Sequence, residues 1–362
     1  MSSPAPNRSL HGGLSDRERR VLRARLGPWV EVEDLSVNIN PFGPPKRVET
    51  AIRRCALSSY PDTTAEEARS AYGDRLGVLP ESIVFGNGAT ELLWTLARHL
   101  VDPTRPALIV EPTFSEYARA TEAFGGRVVE HRSASPEFAH DVDAIVRDAT
   151  RSGAASVYVC RPNNPTGTVL PFEDLLRLAH GVGGLTVVLD ESFLSLSDAA
   201  HDEFRELPDN VVRLRSLTKD FGIPGIRVGY LIASAALADS LERFRPPWTT
   251  SSPAQAAALA ALEEDKFLGE SRKLLLEGRD ELVAILSDFG RPTTATATFF
   301  ALAEVGSGAA FREALLGHGI VVRDGASFGL PGHVRIAAGT PRGRTRLRRA
   351  LESTTRTDRS RR

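Results

Sequence analysis

The chain has 362 residues, 41% of them hydrophobic, enough to bury one large core or two modest ones. Its 45 Lys and Arg balance 46 Asp and Glu for a net charge of −1, so no global field would hold a nucleic acid or an anionic membrane, and a small-molecule partner fits better. No apolar run approaches the roughly 20 residues that span a bilayer, and Cys55 and Cys160 stand far apart without metal-ligand spacing, so the reading is a reduced, cytoplasmic protein with no metal site.

Residues 1–45 read as an N-terminal arm: "MSSPAPNRSLHGGLSDRERR" has no apolar signal core. Over 46–245, short β-rich runs alternate with amphipathic helical patterns. The runs are "SIVFGN", "ALIVEPT", "RVVEHR", "SVYVCRP", "TVVLDES", "VVRLRSL" and "GYLIAS". Several are apolar at consecutive positions, as in strands covered on both faces, and this predicts an α/β domain around a mainly parallel central sheet. After "FGNG", Ala89, Leu92, Leu93, Leu96, Ala97 and Leu100 recur at helical spacing. From Pro246 the texture changes to helix with one break, then the short strands "TATFFALAEV", "GIVVRD" and "HVRIAAG" and a last helix, which predicts a smaller α+β domain over 246–355. Residues 356–362 read as a solvated basic tail. A ligand belongs at the C-terminal ends of the strands, between the two lobes.

Those strand ends carry the candidate chemistry. In "FGNGATE", a strand runs through Gly86 and Gly88 into a helix whose free N–H groups, with the Thr90 hydroxyl, suit a phosphate; the glycines serve a plain turn equally well. A dinucleotide fingerprint needs a third glycine where Glu91 stands, so that reading fails. In "RPNNPTG", Asn164 either caps the turn or aims its amide at a ligand. Asp190 ends the apolar run of "VVLDES", where a half-buried carboxylate needs a cation or several donors. In "SLTKDFGIPGIRVGY", Ser216, Lys219 and Arg227 surround glycine-rich turns. A phosphorylated aldehyde needs such a set: an amine to condense with the carbonyl, a hydroxyl and an arginine fork to hold the phosphate.

The order "NPTG", "DE", "SLTK", "GIRVGY" resembles the pyridoxal-phosphate enzymes of aminotransferase class I/II, fold type I, from about Asn38 to Leu351. The resemblance implies pyridoxal 5'-phosphate as cofactor, with Lys219 condensing with its aldehyde and Asp190 pairing with the ring nitrogen. It implies further that Asn164 donates to the ring's phenolic oxygen, that Phe114 stacks on the ring, and that Gly88, Ala89, Thr90, Ser216 and Arg227 hold the phosphate. Tyr60 in "SSYPDTT" resembles a tyrosine that reaches the neighbouring subunit's cofactor, implying a homodimer with composite sites. Arg335 matches an arginine that grips a substrate carboxylate, and Arg323 stands where a second anion would be held.

"HGG" at His11–Gly13, "NINPFGPP" at 38–45 and "PPW" at 246–248 look most like the threonine-phosphate decarboxylases of cobalamin side-chain synthesis; the histidinol-phosphate aminotransferases are the alternative. On either reading the substrate is a small phosphorylated amino acid or amine, with His11 and Asn40 beside it. Phe193 replaces the tyrosine usual in the aminotransferases, and Leu14, Thr298 and Asp220 depart from the usual pattern.

Overall fold

The computed structural model describes residues 12–14, 16–27, 31–133 and 135–360. The arm contributes helix α1 (Asp16–Leu26) and strand β1 (Glu33–Asp34). The larger part follows as α2 (Lys46–Arg54), α3 (Glu66–Leu76), β2 (Ile83–Gly86), α4 (Ala89–Leu100), β3 (Ala107–Glu111), α5 (Glu116–Ala123), β4 (Val128–Arg132), α6 (Val142–Ser152), β5 (Ser156–Cys160), α7 (Phe172–Gly181), β6 (Thr186–Asp190), β7 (Val211–Arg215), α8 (Leu217–Asp220), β8 (Gly229–Ile232) and α9 (Ala235–Phe244). The remainder comprises α10 (Ser252–Ala261), α11 (Asp265–Asp288), β9 (Phe300–Glu304), α12 (Gly308–Leu316), β10 (Ile320–Val321), β11 (Arg323–Asp324), β12 (His333–Ala337) and α13 (Pro341–Ser360). None of these helices is long and apolar enough to cross a membrane.

All seven runs predicted between residues 82 and 234 are strands of one sheet, ordered β2-β8-β7-β6-β5-β3-β4. Neighbours pair in parallel from β7 to β4, while β8 runs antiparallel to both β2 and β7, so the sheet is mixed with a single reversed strand. Both faces are covered. Val142, Ile145, Leu175 and Leu178 of α6 and α7 pack on Val157, Val187 and Leu189, and Leu92, Leu96, Tyr117 and Leu241 pack on Ile109, Val188 and Leu231 from the opposite side. This double burial is why the strands read as continuous apolar runs and not as alternating ones. Asp141 and Ser251 start α6 and α10 by accepting from backbone N–H groups two or three residues inside the helix.

A three-stranded antiparallel sheet, β11-β12-β9, has its own core with α11, α12 and α13. The predicted strand "GIVVRD" is interrupted at Val322: β10 pairs in parallel with β1 of the arm, whereas β11 turns to pair with β12. Helix α10, expected in the smaller domain, lays Ala254, Ala257 and Ala258 against Val48, Tyr72 and Phe85 of the larger part. Residues 356–360, expected in a solvated tail, continue α13.

Candidate active site

Strands β3, β5, β6 and β7 all point the same way, so the segments following them converge on one edge of the sheet. There Ala89, Phe114, Asn164, Asp190, Ser216, Lys219 and Arg227 line a single cavity. Lys219 lies in the one-turn helix α8, directly after β7. Burial, reinforced by the charges of Arg335 and Arg227, pulls its amine down to about 8 against the opposing pull of Asp190 and Asp220. The turn is fastened from beneath: the Asn40 backbone N–H donates to the Lys219 carbonyl at 3.0 Å, and its side-chain amide donates to the Asp220 carbonyl at 2.8 Å. Asn40, expected at the substrate, gives its backbone N–H and one amide N–H to the lysine turn, and its side-chain oxygen accepts from the Phe42 N–H at 3.1 Å.

At one end of the cavity, α4 starts at Gly88 (φ 81°, ψ 161°) without a side-chain cap, leaving the first helical N–H groups facing the space. Arg227, itself at φ 60°, lays its guanidinium against this turn: a methyl group on Gly88 would stand 2.4 Å from Nη2. Arg227 donates to the Pro224 carbonyl at 3.1 Å and has no carboxylate partner among the described residues. The Ser216 and Thr218 hydroxyls, 2.8 Å apart, complete this cluster of donors. The chemistry of this donor set fits a phosphate group.

Across the cavity, Asp190 accepts from the Tyr117 hydroxyl at 2.8 Å and from the Ser192 N–H at 2.9 Å. Its neighbour in sequence, Glu191, faces the other side of the strand end, with Arg213 at 2.7 Å, Arg215 at 3.7 Å and Arg161 at 3.8 Å. Asn164 accepts from Arg335 through its side-chain oxygen, which leaves its NH₂ group available as a donor. Phe114 and Phe193 supply the aromatic lining, and Phe193 packs edge-on against Phe300 at 5.2 Å.

Arg335 is buried, donates to neutral oxygens of Asn164 and Ser36 (2.6 Å to the latter) and has no ion pair among the described residues. Among the described residues its Nε has no hydrogen-bond partner. Burial, and then the charge of Arg323, disfavour its charged form. A guanidinium held dry without a counter-ion suits an anionic ligand. Beyond it opens a cleft of about 530 Å³ lined by Arg323, Ser327, Phe328, Glu111 and the arm residues Gly12 to Leu14. Arg323 donates to the Ser327 hydroxyl at 2.6 Å. His11 lies outside the described residues. Tyr60 does not line its own chain's cavity: it is 80% exposed and stacks on Trp248 at 4.6 Å between ring centroids.

Sequence reasoning missed Tyr117, Ser192 and Ser36. Tyr117 had a faint signal, standing one helical turn beyond Phe114. Ser36 acts through its backbone oxygen and had none.

A lysine amine with depressed proton affinity, an acid opposite it and an anion-binding helix start, all on the C-terminal edge of this sheet, are the parts of a fold type I pyridoxal-phosphate enzyme. The chain belongs to the aminotransferase class I and II family, whose model matches residues 30–351. It is 34% identical to the histidinol-phosphate aminotransferase 1 of Cupriavidus pinatubonensis over 319 residues, covering 85% of this chain and 84% of that one. To the histidinol-phosphate aminotransferase of Moorella thermoacetica it is 33% identical, covering 89% and 85%. Among solved structures, a Thermus thermophilus aspartate aminotransferase mutant superposes with a TM-score of 0.81 at 26% identity, covering 95% of this chain and 99% of that one. The Sinorhizobium meliloti histidinol-phosphate aminotransferase in complex with pyridoxal-5'-phosphate shares the fold with a TM-score of 0.82 at 24% identity, covering 93% and 94%.

Proposed function

We propose that the protein is a transaminase moving an amino group between a small phosphorylated amine of the histidinol-phosphate kind and a 2-oxo acid. The observation that carries this reading is the buried Arg335 guanidinium, which has no ion pair among the described residues and donates both to Asn164 of the Lys219 cavity and to Ser36 of the cleft that Arg323 lines. Two arginines in series suit a phosphate dianion, and equally the two carboxylates of a dicarboxylic amino donor. The curated relatives named above are histidinol-phosphate aminotransferases, which favours transamination over the decarboxylation that "HGG" and "PPW" pointed to. Those fragments are short, and the match to the aminotransferases runs over most of the chain.

Pyridoxal phosphate, when bound, supplies an aldehyde for the amine and a ring that accepts electrons from the substrate carbon. Lys219 would hold the coenzyme and then move the substrate proton, a task for which an amine neutral near pH 8 is suited. Asp190, its oxygens oriented by Tyr117 and Ser192, would face the ring nitrogen. The Asn164 NH₂ would donate to the phenolic oxygen, Phe114 would stack on the ring, and Gly88, Ala89, Thr90, Ser216 and Arg227 would hold the phosphate. Arg335, assisted by Arg323, would orient the substrate anion, while Asn40 acts from beneath the lysine turn. Exposed Tyr60 would complete the site of a second copy, making the enzyme a homodimer, and a cytoplasmic location is part of the same proposal.

The experiment is a comparison of two substrates. With histidinol phosphate and 2-oxoglutarate the holoenzyme should form glutamate; with threonine phosphate it should release no carbon dioxide. Carbon dioxide release from threonine phosphate, with no glutamate from the first mixture, overturns the proposal.

A further inference from the structure

The cleft outside the coenzyme cavity holds four arginines, and they divide into two kinds. Arg119 pairs with Glu116, and Arg132 pairs with Glu130 at 2.9 Å. Among the described residues, Arg323 and Arg312 have no such partner. Arg323, buried on β11, donates to the neutral Ser327 hydroxyl and stacks over the Phe328 ring at 5.3 Å. Arg312, half-buried on α12, makes no hydrogen bond or ion pair with any described residue.

The fold brings these two together. The first turn of α12 is pressed onto β11: a methyl group on Gly308 would stand 2.7 Å from Asp324 Oδ1. Arg312 follows Gly308 by four residues and lies on the same helix face. Burial lowers the proton affinity of Arg323, Asp324 opposes that, and the charge of Arg312 adds to the lowering, so the two guanidinium groups that line this cleft also feel each other. Asp324 is partly committed elsewhere, accepting from the Ala326 N–H at 2.9 Å. On the facing wall Glu111 accepts from the Thr113 N–H at 2.8 Å, and burial pushes it up to about 7, so near neutrality its negative charge is half withdrawn. Asp324 and Glu111 line the same cleft, but among the described residues neither makes an ion pair with Arg312 or Arg323, so a ligand that supplies an anion would relieve the repulsion between the two like charges.

We propose that Arg312 is a specificity-determining residue: with Arg323 it forms a two-guanidinium clamp that favours a phosphate monoester dianion over a singly charged carboxylate. The proposal rests on the reading of this cleft as the place of the substrate's phosphate, and it adds a second, helix-borne cation to the arginine of β11.

The test uses the holoenzyme in wild-type, Arg312→Ala and Arg312→Lys forms, each checked for an unchanged circular dichroism spectrum. Loss of a charge-assisted contact should raise KM for histidinol phosphate about ten-fold or more in Arg312→Ala, with kcat within about two-fold of wild type and a several-fold smaller rise in KM for glutamate, whose distal carboxylate carries a single charge. Arg312→Lys should recover part of the loss. Inorganic phosphate, titrated calorimetrically into the holoenzyme, should weaken in parallel. Unchanged KM for histidinol phosphate and unchanged phosphate affinity overturn the inference, as does an equal rise in KM for both substrates. If the wild type turns over no histidinol phosphate while phosphate affinity still falls in Arg312→Ala, the clamp stands and the proposed substrate falls.

Discussion

Asp190 and Glu191 are adjacent acids with opposite duties, because successive side chains at a strand end face opposite ways. Asp190 looks into the cavity, whereas Glu191 is buried among Arg213, Arg215 and Arg161. Asp190→Asn should leave the thermal midpoint close to wild type in the apoenzyme and weaken coenzyme retention. Glu191→Gln should instead lower stability by about 3 kcal/mol, since it strands buried guanidinium charge; denaturant titration of both variants decides, and equal stability would mean that Glu191 does not hold the arginines. Lys219 gives a pH prediction. An amine that is neutral only above about 8 should make coenzyme capture by the apoenzyme quicken as pH rises through that value. Arg335→Leu removes a positive charge that favours the neutral amine, so the amine's pKa rises and the midpoint of that curve moves to higher pH. Phe193→Tyr, next to the same cavity, should lower the pH at which the bound coenzyme's absorbance changes; no change would mean that residue 193 does not reach the ring. At this scale the sequence displayed the donors and acids at strand ends, but not their orientation. The hydrogen bond from the Asn40 amide to the Asp220 carbonyl, 180 residues away, leaves no local pattern that a sequence could display.

Helix α4 and the turn before it show what an element must provide. Gly88 has a backbone conformation that side chains adopt only under strain, and Arg227 occupies the space a Cβ would need. Gly88→Ala should therefore cost on the order of 1–3 kcal/mol and also loosen the coenzyme; calorimetry with and without coenzyme separates the two effects, and a variant matching wild type in both would show that the turn yields freely. The seven strands of the large sheet were legible because burial on both faces writes a continuous apolar run, and the pairing of Gly with the helix start was legible in "FGNG". The switch at Val322 was not. "GIVVRD" is apolar throughout its first half, and apolarity records burial but not which neighbour a strand pairs with. For the same reason α10 read as part of the second lobe: its alanine-rich face shows that it packs, without showing that its partners are Val48 and Tyr72.

On the scale of the whole molecule, the arm ties the other parts together: β1 pairs with β10, Gly13 donates to the Ser36 hydroxyl at 2.9 Å, and Asn40 donates to the Asp220 carbonyl at 2.8 Å. Tyr60, Trp248 and Leu57 are exposed, and the proposed homodimer would bring a second copy against Tyr60. Sedimentation should give twice the chain mass, and Tyr60→Ala should weaken coenzyme binding without altering that mass; a monomer that is fully active would remove the composite site. The central claim is the bond between Lys219 and the coenzyme, and the chain makes it unusually easy to check. It contains only four lysines, and the other three, Lys46, Lys266 and Lys273, are all exposed. Borohydride reduction of the holoenzyme, followed by peptide mass mapping, should place the pyridoxyl group on Lys219. A label on one of the exposed lysines, or none at all on a yellow protein, would contradict the account.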